Sequence, residues 1–397
     1  MKILVINSGS SSLKFKLFNM HELSILCSGL LENIGSENSS LRFHYQDKIL
    51  EKKISIPEHN EALYILFDLI FEEGILVDIS EVYGVGHRVV HGGNLFSKAI
   101  EINEEVLKSL EDFIPLAPLH NPANIAGIHA LSKKAPKLRQ VAVFDTAFHH
   151  NMPEYASRYA LRDSLYNEDK IQRYGFHGTS HSFVFKQVCL HLNKEPSLTN
   201  IISLHLGNGA SACAIKKGVS VDTSMGMTPL EGLVMGTRCG DIDPSIIFYL
   251  HRHKGYSIDE IDTLLNKNSG LLGLCGNNDI RSILSQAKPG NKYQLAIDIF
   301  VYRIKKYIGA YMAVLEDVDA IVFTGGIGEN SSEIRRKVCE GLGILSIYID
   351  ENQNLQEGTK EFSFHSKESS IKLFVIPTNE ELEIALQTKE VLEGLSE

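Results

Sequence analysis

The sequence predicts an α/β protein built from two domains related by duplication, and three observations carry that reading. Short β-type runs alternate with helical patterns along the chain, as in layered α/β architectures. The 397 residues amount to two or three domains at about 150 residues each. A strand, a Gly-rich turn with an asparagine and a second strand occur twice, around Asn7 and around Asn208, about half a chain apart. Duplication explains this economically, and a chance likeness of two Gly/Ser hairpins is the alternative.

The elements follow from local pattern. Residues 3–6 (Ile-Leu-Val-Ile) are a continuous apolar run, as in a buried strand. After the turn, Leu13 to Phe18 alternates with period two, as in a half-buried strand. Strand, turn, strand excludes the P-loop and Rossmann entries, which need a helix after the Gly loop. Residues 58–73 present Leu63, Leu66, Phe67 and Ile70 on one helical face, and Asn103 can cap a helix packing through Leu107, Leu110 and Ile114. Asn121-Pro122 reads as a cap followed by an N1 proline, and Asp243-Pro244 repeats the device. Ser257 and Glu260 form a capping box. Residues 291–316 are the longest helical pattern, and Val141–Phe144, Ile321–Phe323 and Lys372–Ile376 read as further buried strands.

Composition removes several function classes. Lys plus Arg is 39 against 49 Asp plus Glu, a net charge of −10, so the basic footprint of a dedicated nucleic-acid or anionic-membrane binder is missing. No apolar run approaches the roughly 18 residues that span a bilayer. The apolar run at 3–6 is too short for a signal peptide. Six cysteines without a C-x-x-C pair read as reduced thiols, and the expectation is a cytoplasmic protein. His87/His91 lie on a strand pattern, where i,i+4 residues do not converge, and H-E-x-x-H is absent, which argues against zinc.

Several residues carry chemistry, each with a plainer explanation beside it. The small residues from Asn7 to Ser12 let backbone N–H groups approach an anion, with Lys14 in reach of a phosphate; an ordinary polar hairpin has the same letters. Gly207-Asn208-Gly209 is equally ambiguous. Thr324 to Asn330 links a buried strand to a helix capped by Ser331 or Ser332, where a nucleotide could press on the backbone or the chain could simply turn. Arg88, inside an apolar strand, needs an anionic partner, either a structural carboxylate or a substrate. Arg238 sits in a Gly-flanked loop suited to phosphoryl recognition. Asp145 follows a strand end, where α/β sheets bind ligands, but Asp-Thr also makes caps and Asx-turns. His177, between glycines at a helix start, is placed as a neutral or cationic donor. Thr378 and Glu381 read as a capping box, which leaves Glu380 room for a Mg²⁺ contact.

Together these segments resemble the acetate kinase (acetokinase) family. The matches are Asn7-Ser-Gly-Ser-Ser-Ser-Leu-Lys14, Gly86-His-Arg88-Val-Val90-His-Gly-Gly93, Pro118-Leu119-His120-Asn-Pro122, Phe144-Asp145-Thr, Arg173-Tyr-Gly-Phe176-His177-Gly-Thr-Ser-His181, His205-Leu206-Gly207-Asn208-Gly209, Met235-Gly-Thr-Arg238-Cys-Gly-Asp-Ile-Asp-Pro244, Phe323-Thr-Gly-Gly326-Ile327-Gly328-Glu329-Asn330 and Pro377-Thr-Asn-Glu380-Glu381. They run in order over nearly the whole chain. The resemblance implies two duplicated actin-like ATPase (ribonuclease H-like) domains around a nucleotide cleft. The first would be residues 1–150, completed by a C-terminal helix at 381–397, and the second residues 151–380, carrying most of the nucleotide site and a homodimer interface. It implies reversible, Mg²⁺-dependent phosphoryl transfer from ATP to acetate, giving acetyl phosphate and ADP, with Mn²⁺ as a possible substitute.

Carried over by position, Asn7 and Glu380 would help hold the metal. Lys14, His205, Leu206, Gly207, Asn208, Gly209, Asp279, Ile280, Arg281, Gly326, Ile327, Gly328, Glu329 and Asn330 would contact ATP. Arg88 would bind the acyl substrate, and Val90, Leu119, Phe176 and Pro229 would form its methyl pocket. Asp145, His177, Arg238 and His120 would be the catalytic set. A carboxylate with pKa near 4–5 is already ionised at pH 7, so Asp145 is expected to orient rather than act as a base. The expected transfer is direct and in line.

Overall fold

In β1 (Lys2–Ser8), Leu4 and Ile6 enter one core while Ile3 and Val5 enter another, the period-two division of a strand buried on both faces. β1 pairs antiparallel with β2 (Ser12–Asn19), setting Asn7 opposite Lys14. β3 (Ser24–Glu32), β4 (Ser40–Tyr45) and β5 (Lys48–Lys53) extend the meander. On the other side β6 (Val82–Val89) and β8 (Gln140–Phe144) run parallel to β1, with the short β7 (Ile100–Glu101) at the edge. The sheet order is β5-β4-β3-β2-β1-β6-β8-β7. The parallel strands bring their C-terminal ends to one edge, where an α/β sheet binds ligands. Asn7, Arg88 and Asp145 stand at the ends of β1, β6 and β8.

These elements belong to one of two units in a computed structural model that describes residues 1–118, 120–356 and 360–395. The first unit is Met1–Phe148 with the segment from Asn379 onward, and the second is His149–Thr378. In the first, helices His59–Glu72 and Asn121–Lys134 cover one sheet face. Helix Glu380–Leu392 covers the other, placing Ile384, Ala385 and Leu392 against Ile3, Val5 and Val141. Gly84 and Gly86 of β6 admit it: a Cβ there would meet Leu392 Cδ1 at 2.1 Å or Thr388 Oγ1 at 2.3 Å.

The second unit holds β9 (Asn200–Leu206), β10 (Ala210–Lys216), β11 (Val219–Thr223), β12 (Ala320–Thr324), β13 (Phe362–Ser363) and β14 (Lys372–Val375). Their order is β11-β10-β9-β12-β14-β13. β10 is antiparallel to β9, and β12 and β14 run parallel to it, which repeats the relation of β2 to β1, β6 and β8. This is the structural counterpart of the paired Asn7 and Asn208 turns. The longest helix, Lys292–Leu315, is capped by Asn291 and buries Ala296, Ile297, Phe300, Ile304 and Ile308.

Three local expectations change. Asn121 is not a cap: the helix begins at Asn121 itself, and its amide spans the His91 backbone, accepting from N–H at 3.2 Å and donating to C=O at 3.1 Å. Ile114 lies outside the Asn103-capped helix, in a separate 3₁₀ turn, Ile114–Leu116. The Gly cluster, expected as a strand-to-helix turn opening a helix, is itself a six-residue helix, Gly325–Asn330, after which Ser331 caps Ser332–Cys339.

Candidate active site

In the first unit, Arg88 meets the fully buried Asp145 through Nε at 3.0 Å and Nη2 at 2.5 Å. The anionic partner the sequence required of Arg88 is thus a carboxylate of the chain. Nη1 makes no hydrogen bond among the described residues, so the guanidinium keeps a donor edge. Burial opposes its charge, but Asp145, with Glu380 and Glu381, outweighs that and raises the Arg88 pKa.

Glu380 opens the helix Glu380–Leu392, and its carboxylate makes no hydrogen bond or ion pair among the described residues. Burial first, and the charges of Asp145 and Glu381, push it up to about 7, against the pull of Arg88 and Lys14. A carboxylate crowded by carboxylates is a place for a cation. Asn7, whose side-chain amide has no partner among the described residues, adds a second oxygen donor at the same sheet edge. Two hard oxygens fit a cation such as Mg²⁺, which keeps several waters and takes substrate phosphates as its other ligands.

The capping box expected of Thr378 and Glu381 does not form. Asn379 caps the helix instead, accepting from Leu382 N–H at 3.2 Å. Glu381 is drawn to two lysines: it contacts Lys14 and lies 3.1 Å from Lys16. Burial works against its ionisation, but the two cations hold its pKa down to about 2.

In the second unit, His177 caps helix Gly178–Leu192 in the left-handed region, φ 57°. Its ring stacks on His205 at 4.2 Å. Gly209 closes the group: a Cβ there would lie 3.6 Å from both Arg238 Nη1 and His177 Nε2. An imidazole nitrogen and a guanidinium thus face one small space over a glycine. Among the described residues Arg238 has no carboxylate within ion-pair distance; Nη1 donates to Pro229 C=O at 3.1 Å. Burial alone lowers its pKa. A half-buried cation without an anion is a receptor for one.

The sequence profile of the acetokinase family matches residues 2–386. The chain belongs to the acetokinase family. An acetate kinase of Campylobacter jejuni subsp. doylei is 52% identical over 395 residues, 99% of each chain. The crystal structure of Porphyromonas gingivalis acetate kinase aligns with a TM-score of 0.93 at 43% identity, covering 98% of this chain and 99% of that one. A propionate kinase from Francisella tularensis subsp. tularensis aligns with a TM-score of 0.93 at 44% identity and the same coverage.

The other acetokinase positions divide as follows. Val90 is buried in the first unit, its N–H held by Asn124 Oδ1 at 3.1 Å, and His120 stands at the N-cap of Asn121–Lys134. Phe176 and Pro229 lie in the second unit, and Leu119 falls outside the described residues. Leu206 is buried in β9. Gly207 N–H bonds Gly209 C=O, and Asn208 C=O accepts from Gly236 N–H at 2.9 Å. A Cβ at Gly236 would meet Asn208 Oδ1 at 1.8 Å, so any side chain there must displace the Asn208 amide. Asp279 caps the helix that Ile280 begins, and Arg281 folds back on it at 3.3 Å, both exposed.

Among the described residues, nothing lies within 4 Å of the Gly326 Cβ position. Ile327 and Gly328 are buried, and Asn330 donates to Gly326 C=O at 2.9 Å. The Glu329 carboxylate serves the fold, accepting from Gly325 N–H at 2.8 Å and Thr378 N–H at 3.1 Å.

Four buried residues around His177 have no role assigned from the sequence. His149 Nε2 donates to Phe176 C=O at 3.0 Å, fixing the residue before His177. His181, Ser203 and Ser211 stand behind the His177 ring. A signal was present: Ser203 and His205 recur with period two in the otherwise apolar run 201–206, so β9 turns one polar stripe toward a buried partner.

Proposed function

We propose that this acetokinase-family chain transfers the γ-phosphoryl group of ATP to acetate, giving acetyl phosphate and ADP, and runs the reverse. The observation that carries the reading is the pairing of His177 and the anion-free Arg238 over Gly209. Those donors suit a phosphoryl group with charge developing on its equatorial oxygens. The chain is a phosphotransferase with a carboxyl acceptor, it uses ATP, and it needs a divalent metal. Asn7 and Glu380 would hold Mg²⁺, with Mn²⁺ as a substitute. When bound, the metal screens the polyphosphate charge.

The chain's own residues do the rest. Acetate is ionised at pH 7 and needs no base. Asp145, engaged by Arg88 through both oxygens, orients the guanidinium, and Arg88 receives the acetate carboxylate on its remaining edge. Val90, Leu119, Phe176 and Pro229 limit the acyl chain. His120 adds a polar contact, and Lys14, residues 205–209, 279–281 and 326–330 receive the nucleotide. Transfer is direct, with His177 and Arg238 stabilising the in-line transition state.

A coupled assay for ADP tests this: formation must depend on acetate and metal. ADP formation indifferent to acetate would make the chain a nucleotide-responsive module instead. A second reading, a propionate-preferring enzyme, is favoured by the equal structural match to the Francisella propionate kinase. One methylene is worth about 1–3 kcal/mol, so comparing kcat/KM for acetate, propionate and butyrate separates the two. Val90 in place of a smaller residue leans toward acetate.

A cytoplasmic homodimer joined through the second unit accompanies this reading. It is supported by large apolar side chains exposed there, Phe248, Tyr249, Leu295 and Tyr302. Sedimentation of the full chain as a monomer would remove it.

A further inference from the structure

Behind His177 runs a chain of four side chains. Ser203 Oγ lies 2.9 Å from His181 Nδ1, His181 Nε2 lies 2.8 Å from Ser211 Oγ, and Ser211 Oγ lies 2.9 Å from His177 Nδ1. Ser203, His181 and Ser211 are each 0% exposed, so water cannot stand in for a missing partner. The hydroxyl count then fixes the direction of every bond. Among the described residues the Ser203 hydroxyl has one hydrogen-bond partner, His181 Nδ1, so its proton goes there. His181 is thereby an acceptor at Nδ1 and, when neutral, a donor at Nε2. Burial, with His149 and His205 nearby, holds the His181 pKa well below the ordinary histidine value, so neutral it is. Ser211 accepts that proton and has one of its own, which can go only to His177 Nδ1. The opposite polarity would leave the Ser203 hydroxyl proton without an acceptor in a sealed site.

We propose that Ser203, His181 and Ser211 form a hydrogen-bond chain of fixed polarity that holds His177 as a neutral imidazole with its proton on Nε2. His177 then enters phosphoryl transfer as a directed donor, since the nitrogen facing the Gly209 space with Arg238 is the protonated one. It is neither an imidazolium nor a nucleophile, because Nδ1 already accepts from Ser211 and the Nε2 lone pair belongs to the ring. His181 is a positioning residue, acting only through Ser211. Three ionisable groups face His177: His205 from β9 stacks on it, His181 lies behind Ser211 on its own helix, and Arg238 comes from the loop before helix Ser245–Lys254. Of these, the fixed charge of Arg238 opposes a second proton on the ring. This deepens the acyl-kinase reading and rests on it for the word "transfer", but the tautomer itself does not.

The experiment reads the tautomer without turnover. Full-length protein labelled with ¹⁵N-histidine is studied by long-range ¹H–¹⁵N correlation, with His177→Gln assigning the resonance. Between about pH 6 and 8, where an ordinary histidine titrates, His177 is expected to keep a pyridine-type Nδ1 and a pyrrole-type Nε2. A protonated Nδ1 in the unsubstituted protein overturns the proposal outright, whether or not any variant folds. In Ser211→Ala the Nδ1 should become protonatable between about pH 6 and 8. Turnover near pH 6 should then fall several-fold relative to pH 8, while Ser211→Thr, which keeps a hydroxyl, restores the original pattern. A Ser211→Ala spectrum identical to the original overturns the chain's control of His177. Absence of acetate-dependent ADP formation would instead sink the functional reading and leave the spectrum standing.

Discussion

Asp145 grips Arg88 from the end of the neighbouring parallel strand, its two oxygens taking Nε at 3.0 Å and Nη2 at 2.5 Å. Asp145 is 1% exposed and Arg88 22%. Removing the arginine therefore strands a buried carboxylate. Arg88→Ala is expected to cost about 3 kcal/mol, the low end for a broken buried pair because Arg88 still meets solvent. It should also raise the acetate KM far more than it lowers kcat. Thermal melts and acetate titrations check both, and an unchanged KM removes Arg88 from the acyl site. Asp145→Asn keeps the shape but loses the charge. Its pH–rate profile should lack no ionisation that the parent shows, and loss of one would restore Asp145 as a base.

Arg238 has no such partner to strand. Arg238→Ala should leave stability within about 0.5 kcal/mol while lowering kcat by roughly 10³-fold, the scale of a transition-state arginine. Arg238→Lys should recover little, because a point charge cannot reproduce the planar fork. A kcat loss below about tenfold in a folded variant would reject the assignment.

His87 supplies a pH dependence of stability. It is 2% exposed, bonds Gln140 Oε1 at 2.8 Å, and burial lowers its pKa to about 4 despite that bond. The unfolded chain takes up a proton below about pH 6.5, where the native ring stays neutral. Stability is thus lost as pH falls from about 6.5 to about 4, by roughly 3 kcal/mol for this residue. His181 shifts in the same direction, so His87→Gln should flatten the melting temperature against pH in part. A variant with the full acid dependence would show that His87 is not its source.

Gly236 tests the turn proposed to receive the nucleotide. An alanine there drives Asn208 Oδ1 from its place, and the expected result is about a tenfold rise in the ATP KM, equal to about 1.4 kcal/mol. The acetate KM should stay nearly unchanged. Steady-state titration of both substrates decides it.

The sequence made visible whatever is settled within a few residues. The alternation in β2, the Asn103 cap and the Ser257–Glu260 capping box all appear in the structure. What it concealed was settled by distant partners. Asn121 looks like a cap until His91, 30 residues earlier, claims its amide. Glu381 fits a capping box until Lys16, 365 residues away, pairs with it. The site follows the same rule. Arg88 and Asp145 announced themselves as a charge in an apolar strand and an acid at a strand end, and only the register between β6 and β8 shows that each is the other's partner. Ser203 and Ser211 read as ordinary interior residues, and His181 as the end of a motif, because their meaning lies in the direction of three hydrogen bonds.

The helix Glu380–Leu392 belongs to the first unit but follows the whole of the second in the chain. During synthesis, domains tend to fold as they emerge, yet the sheet begun at Lys2 has Ile3, Val5 and Val141 uncovered on one face until residues 380–392 leave the ribosome. The second unit can therefore complete its core first, and the first unit waits for it. Because the same helix carries Glu380, a nascent chain stalled before it holds the Arg88–Asp145 pair without the acid proposed to hold the metal. The fold thus ties completion of this sheet edge to the synthesis of residues 380–392, after the whole second unit, and a chain released before them has an exposed apolar face for quality control to recognise.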